Sequence, residues 1–165
     1  MKKPLQEEAI FTPDCAIISY MRLRKRDVGK IRRYFSQKPE VIAVYLYGSF
    51  ARGDAKNDSD VDLAALVTDK NKYTGFGIFQ VVFAQNLSQI LNREVEVQDL
   101  EVCSIDFAQR ILSEGKLIIS NNEKARIAFE EKTIRDYFDM KPGLDEYYKH
   151  LSEIAKRGEL HVRYL

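Results

Sequence analysis

Residues 48–62 read GSFARGDAKNDSDVD and combine a Gly-Ser pair with two aspartates that flank a valine. This stretch follows an apolar run at residues 41–47, VIAVYLY, and a second apolar run begins at Val61. Both runs have the length and the boundaries of buried β-strands. Because side chains alternate along a strand, Asp60 and Asp62 are predicted to project from one face while Val61 points to the other.

The residue types in this stretch suit the binding of a phosphate chain and a divalent cation. A Gly-Ser turn that opens a short helix, here Gly48 and Ser49, offers backbone N–H groups, a hydroxyl and the positive helix end to phosphate. Two neighbouring carboxylates suit Mg²⁺, which takes oxygen ligands and keeps water and phosphate as the remainder. The structural alternative is ordinary: turn glycines at 48 and 53, a strand-entry cap at Asp60, and a charge at a solvated strand end at Asp62.

The motif also resembles that of a known superfamily. The Gly-Ser pair, ten residues and then Asp-x-Asp is similar to the signature of the DNA polymerase β-like nucleotidyltransferases. GSFARG at residues 48–53 with SDVDL at residues 59–63 resembles their minimal branch, the MNT (minimal nucleotidyltransferase) proteins. The resemblance covers about residues 27–120. It implies ATP as co-substrate, Mg²⁺ as the metal, and Gly48 and Ser49 at the β- and γ-phosphates.

Nucleotidyl transfer needs a base for the attacking hydroxyl, and this superfamily usually takes it from an aspartate on the adjacent strand. Glu96 stands at the matching place in the alternating segment 93–100, REVEVQDL, on the face opposite the two valines. Asp99 shares the parity of the valines and ranks second, and an ordinary exposed strand glutamate is the alternative for Glu96. Glutamate at this position departs from the family pattern. Three interpretations are therefore left undecided: a fully active site, a slow site and a vestigial site. The resemblance implies one catalytic and metal-binding set: Asp60, Asp62 and Glu96.

Three groups of basic residues have competing interpretations. Arg52 is predicted to contact phosphate as part of the nucleotide site, and a salt bridge on the helix face is the alternative. The basic cluster within residues 22–26 is interpreted as a solvated face or loop, with a nucleotide or an RNA-bound partner as the functional alternative. His150 and His161 have no ligand partners at a useful spacing and are predicted to be surface or interface residues.

Composition limits the class of protein. The chain has 165 residues, of which 45% are hydrophobic and 31% charged, as expected for one soluble globular domain. A net charge of +1 does not favour direct nucleic-acid binding, and no apolar run approaches the length of a membrane span. The two cysteines, Cys15 and Cys103, do not form a disulfide framework, so a cytoplasmic location is predicted.

The apolar pattern predicts the order helix–strand–short helix–strand–helix–strand–helix–strand. This order favours an α/β (α+β) fold of the polymerase β-like type, a mixed four-stranded sheet flanked by helices. A nucleotidyltransferase domain is predicted at residues 1–120, with its motif core at 41–100. The elements are predicted as a helix from Asp27 as cap to Phe35, a helix from Phe79 through Phe83, Leu87 and Ile90 to Asn92, a strand at 95–100, a helix at 105–112 between Ser104 and Gly115, and a strand at 116–119.

The segment 121–165 is predicted to be a helical extension that packs on the same domain. One helix is expected at residues 125–138, with a break at Pro142-Gly143. A second helix, ended by Gly158, carries an apolar stripe at Leu144, Tyr147, Leu151 and Ile154. The stripe suits packing on its own domain, and the alternative is a contact with a partner or a second copy.

Small stand-alone MNT proteins resemble the antitoxins of two-gene bacterial and archaeal modules. The resemblance implies a partner, a helical HEPN-type ribonuclease toxin, and a reaction that moves AMP from ATP to a tyrosine of that toxin. An antitoxin that acts by binding alone and a nucleotidyltransferase for a small molecule or an RNA end are the alternatives. Nucleotide base preference and oligomeric state are left open.

Overall fold

The computed structural model describes residues 23–70, 73 and 78–158 of the chain. Five helices and four strands lie within this part. They are α1 (Lys25–Ser36), β1 (Val41–Leu46), α2 (Gly48–Arg52), β2 (Val61–Val67), α3 (Ile78–Leu91), β3 (Val95–Asp99), α4 (Ile105–Glu114), β4 (Lys116–Ser120) and α5 (Glu123–Lys156). The predicted α/β order is confirmed.

The four strands form one mixed sheet in the order β3-β2-β1-β4. Strand β1 pairs antiparallel with β2 and with β4, whereas β2 and β3 are parallel. In the parallel pair, Asp62 lies opposite Glu96 and Ala65 lies opposite Asp99. The end of β1 and the starts of β2 and β3 therefore meet at one edge of the sheet.

The sheet separates two apolar layers. Helices α1 and α3 cover one face, whose core includes three rings that meet edge to face: Phe35, Phe79 and Phe83. Helices α4 and α5 cover the other face with a smaller core. Because neighbouring strand residues point to opposite faces, Val61 and Leu63 enter the first layer while Asp62 opens on the second.

The start of α1 differs from the prediction. The helix begins at Lys25, and Asp27 lies inside its first turn and is buried instead of capping the helix. The Arg24 Nε atom lies 2.8 Å from the Asp27 carboxylate. A carboxylate in the first turn also interacts favourably with the helix dipole, so the position suits Asp27 without a capping bond.

Helices α3 and α4 agree with their predicted positions, with local differences. Leu91 is buried at the end of α3, whereas Ile90 is 38% exposed. Ser104 occupies the N-cap position of α4, but its side chain makes no capping bond. Cys15, Arg22 and His161 lie outside the described residues, as do residues 74–77 before α3.

The predicted break at Pro142-Gly143 is wrong, because α5 runs through both residues as one helix of 34 residues. Proline has no N–H to donate, but its φ angle fits a helix. Pro142 is exposed, so water can bind the backbone carbonyl four residues earlier, which would otherwise accept a hydrogen bond from the N–H at position 142. An ion pair between Lys141 and Asp145, 2.9 Å at i and i+4, spans the same turn.

Only the first part of α5 packs firmly on the sheet. Phe129 joins the second core, and Thr133 is buried. Beyond Thr133 several large apolar side chains are between 44% and 63% exposed: Ile134, Phe138, Met140, Tyr147 and Tyr148. Within the described residues, no helix combines the length and the apolar character that crossing a membrane requires.

Candidate active site

The Gly-Ser motif forms the connection from β1 to β2. Gly48 has a φ of 67° and opens α2, and Gly53 has a φ of 87° and ends it. The Gly53 N–H donates to the Ser49 carbonyl over 2.9 Å, which closes the helix after five residues. Both glycines thus occupy left-handed backbone positions that other residues rarely adopt.

Gly48 also lies directly against Asp62. A Cβ atom built on Gly48 would stand 1.9 Å from Asp62 Oδ2, far inside any allowed contact. The Tyr47 N–H donates to the Asp62 carbonyl over 3.0 Å and holds the two chain segments together. The missing side chain at position 48 is therefore what lets the carboxylate reach the turn.

Two further carboxylates lie close to Asp62. Glu96 is its register partner on β3, and Asp60 immediately precedes β2. Partial burial raises the pKa of Asp62, the negative charges of Glu96 and Asp60 raise it further, and Arg52 opposes this rise. Burial together with Asp62 and Glu96 also raises the pKa of the Tyr47 hydroxyl. The site is thus an acidic cluster with one guanidinium nearby.

The second-ranked carboxylate, Asp99, occupies a different environment. It is 3% exposed and lies 2.6 Å from the Lys70 ammonium. It also accepts a hydrogen bond from the Glu101 N–H over 3.0 Å. Because Asp99 is three positions along β3 from Glu96 and is engaged by a lysine, it stabilises the loop after β3 instead of facing Asp62.

The donor set fits a hard cation without forming a complete cage. In the part of the chain that the structure describes, no group of three acidic, histidine or cysteine side chains is close enough to hold a metal. The Glu96 carboxylate accepts a hydrogen bond from the Gln98 amide. Mg²⁺ usually takes one or two protein carboxylates and completes its shell with water and substrate phosphates. Asp60 and Asp62 at the Gly48 turn suit that mode of binding.

Arg93 supports the loop that carries Asp60, a role that sequence reasoning missed. Its Nη1 atom donates to the carbonyls of Asn57 and Ser59 over 2.8 and 2.7 Å. Its guanidinium also lies 5.4 Å from the ring centre of Phe50 on α2. No local sequence signal indicates this contact, because Arg93 is more than thirty residues away along the chain.

A cavity of about 290 Å³ opens beside the motif, between α2 and α4. We refer to it as the α2–α4 cavity. One wall carries the Gly48 turn and Arg52, and the other wall belongs to α4. Its lining is Tyr47, Gly48, Ala51, Arg52, Phe107, Arg110, Ile111 and Glu114. No local sequence pattern indicates that α4 lies beside the motif.

The other predicted basic residues are placed as follows. Arg52 pairs with Asp54 across 3.2 Å on the surface, which agrees with the salt-bridge alternative, and it also lines the α2–α4 cavity. Its contact with phosphate stays a prediction. The described members of the basic cluster, Arg24, Lys25 and Arg26, are exposed at the start of α1. His150 is exposed on α5.

Comparison with known proteins agrees with this geometry. The family model for "Polymerase beta, Nucleotidyltransferase" matches residues 29–124. The chain belongs to the polymerase beta nucleotidyltransferase family. It is similar to the protein adenylyltransferase MntA of Shewanella oneidensis, with 28% identity over 125 residues, which cover 73% of this chain and 86% of the relative. The predicted family resemblance is confirmed.

Two solved structures have a similar fold. A crystal structure of a toxin–antitoxin with AMP-PNP superposes with a TM-score of 0.64 at 25% identity, over 79% of this chain and 99% of that chain. A tri-AMPylated Shewanella oneidensis HEPN toxin in complex with an MNT antitoxin superposes with a TM-score of 0.62 over the same shares. At 23% identity, the second likeness shows the fold alone.

Proposed function

We propose that this protein is a Mg²⁺-dependent adenylyltransferase that transfers AMP from ATP to a tyrosine of a helical HEPN-type toxin, and so acts as its antitoxin. The contact between Gly48 and the Asp62 carboxylate carries the proposal, because it joins a phosphate-binding turn to metal-binding oxygens. The acceptor is inferred from similarity to a protein adenylyltransferase and to a toxin–antitoxin that binds AMP-PNP. The predicted cytoplasmic location stays a prediction.

We assign the β- and γ-phosphates of ATP to Gly48 and Ser49, with Arg52 as a cationic contact. Asp60 and Asp62 would hold Mg²⁺, and Glu96 would join them as a weaker ligand once its carboxylate turns from Gln98 towards them. A bound Mg²⁺ neutralises charge that grows on the phosphates and on the leaving group. Partial burial, followed by the negative charges of Glu96 and Asp60, raises the pKa of Asp62, and a cation at this place would offset both effects.

The transfer step has one bond formed and one broken. The tyrosine hydroxyl oxygen attacks the α-phosphorus of ATP, and the bond from that phosphorus to the oxygen bridging the α- and β-phosphates breaks. The products are an AMP–tyrosine ester and pyrophosphate. A tyrosine hydroxyl has a pKa of about 10, so it needs a base to lose its proton at neutral pH. We assign that role to the Glu96 carboxylate, which is exposed and stands opposite Asp62.

The distal half of α5 is the surface we propose for the toxin. Tyr147 is exposed, and Leu144, Leu151 and Ile154 are only partly buried, so the predicted stripe does not complete a core of its own. We propose residues 1–120 as the nucleotidyltransferase domain and residues 121–165 as its helical extension.

The test combines the protein, a candidate HEPN-type partner and Mg·ATP, followed by intact-mass analysis of the partner. The expected result is the addition of one or more AMP units, and the matched control is the Asp60→Asn/Asp62→Asn protein. A stable complex without added mass would favour an antitoxin that acts by binding alone. That second candidate is supported by the engagement of Glu96 with Gln98. Absence of both complex and added mass would favour a small-molecule or RNA-end acceptor.

A further inference from the structure

The α4 wall of the α2–α4 cavity presents a guanidinium that lacks an acidic partner. Among the described residues, Arg110 forms no ion pair, and its guanidinium lies 5.4 Å from the ring centre of Phe107. Phe107 in turn packs perpendicular to Tyr47, with ring centres 5.6 Å apart. Stacking on a fixed ring orients the planar guanidinium and leaves its N–H groups for a ligand.

The opposite wall provides a second guanidinium and the motif turn. Arg52 and Gly48 line this wall, and the Asp62 carboxylate lies directly behind Gly48. Among the described residues that line the cavity, Glu114 is the single acid, so the two arginines outnumber it. The arrangement suits a ligand that has an anionic group at one end. That group would lie between the two arginines, and the opposite end of the ligand would lie at the acidic cluster.

We propose that Arg110 binds the γ-phosphate of the nucleoside triphosphate from the α4 wall of the α2–α4 cavity, and so makes the site selective for triphosphates over di- and monophosphates. This inference rests on the proposed function, which already assigns the phosphate chain to Gly48, Ser49 and Arg52, and adds a specificity residue to it. Guanidinium groups bind phosphate through two parallel N–H donors, so a pair on opposite walls recognises a terminal phosphate by charge and by shape.

The geometry argues against the cavity as a pocket for the nucleotide base. A base would need an open aromatic face on which to stack. The Phe107 ring already carries Arg110 over its face and packs against Tyr47. The described charged residues of the lining are two arginines and one glutamate, which suit phosphate oxygens better than an uncharged base.

The test compares Arg110→Gln with Arg135→Gln, a matched control at an exposed position on α5. Calorimetry in Mg²⁺ measures the Kd of ATP, ADP and AMP, and inorganic tripolyphosphate and adenosine compete against ATP. Loss of a charge-assisted hydrogen bond is expected to weaken ATP binding about tenfold or more in Arg110→Gln. AMP binding should stay unchanged, tripolyphosphate should compete less well, and Arg110→Lys should recover part of the loss. Arg135→Gln should match the parent.

Each other outcome has a defined meaning. An unchanged Kd for ATP in Arg110→Gln would overturn this inference and leave the proposed function intact. Equal weakening of ATP, ADP and AMP, or weaker competition by adenosine, would place Arg110 at the nucleoside and overturn it as well. A parent protein that binds no Mg·ATP would overturn both proposals. Thermal denaturation checks the fold, and if Arg110→Gln is destabilised, tripolyphosphate competition with Arg110→Lys decides.

Discussion

Gly48 is the position where one methyl group tests the site most directly. In Gly48→Ala the new Cβ would stand 1.9 Å from Asp62 Oδ2 and 2.7 Å from Asp62 Cγ. Since unbonded carbon and oxygen atoms do not approach so closely, the carboxylate or the turn has to move by about an ångström. The φ of 67° adds strain, because an L side chain disfavours left-handed backbone.

The expected loss of stability combines both effects. Left-handed backbone at a non-glycine residue costs about 1–3 kcal/mol, and an extra methyl group in a packed position costs about 1–3 kcal/mol more. Without nucleotide, we therefore expect Gly48→Ala to lower the free energy of unfolding by about 2–6 kcal/mol. Transfer activity should fall by about a hundredfold, the scale expected when a reacting group is displaced by an ångström.

Substitutions at two other glycines distinguish the cost of backbone strain from the cost of the steric contact with Asp62. Gly53 has a φ of 87° but no atom within 4 Å of a built Cβ, so Gly53→Ala measures the backbone strain alone. Gly29 lies exposed in α1 with no neighbouring atom, and Gly29→Ala should stabilise the protein by about 0.5–1 kcal/mol. Neither change should displace Asp62.

Urea denaturation followed by circular dichroism gives the free energies of unfolding for all three variants. A double-mutant cycle adds Asp62→Ala, which removes the contacting oxygen. In that background the loss caused by Gly48→Ala should shrink towards that of Gly53→Ala. Equal losses for Gly48→Ala and Gly53→Ala, with additive behaviour in the double variant, would refute a tight contact between the turn and the carboxylate.

Three further changes test other parts of the structure. Asp60→Asn/Asp62→Asn should lose Mg·ATP binding in calorimetry and keep its fold, and an unchanged Kd would remove the metal assignment. The pKa of Asp62 is raised in the folded protein, so the charged carboxylate lowers the free energy of unfolding at pH values above that pKa. This destabilisation disappears as the pH falls through the pKa. The double variant should therefore be slightly more stable than the parent at pH 7. Glu96→Gln should bind Mg·ATP much as the parent does but transfer AMP at least about tenfold more slowly, and equal rates would give the base role to water, because Asp99 is held by Lys70 away from Asp62. Pro142→Ala should raise the free energy of unfolding by about 1–3 kcal/mol with an unchanged helical signal in circular dichroism, whereas a clear gain of that signal would indicate an interrupted α5.

Local patterns predicted the elements that carry the motif. Two apolar runs separated by a glycine-rich polar stretch have few alternatives to two strands with a turn between them. Alternation was enough to put Glu96 on the solvated face of β3, with Val95 and Val97 buried. The break predicted at Pro142 failed for a physical reason: an exposed proline removes one hydrogen bond but leaves helical backbone angles allowed.

The chain by itself determined the chemistry of the motif, because the turn glycines, Ser49 and the flanking aspartates lie within fifteen consecutive residues. Only the tertiary structure decided which distant residues join it. Strand register brought Glu96 opposite Asp62, and the crossing of α4 over the sheet brought Arg110 to the cavity. Local sequence sets local backbone conformation, but contacts between distant segments depend on how whole apolar faces pack, and no single short stretch contains that information.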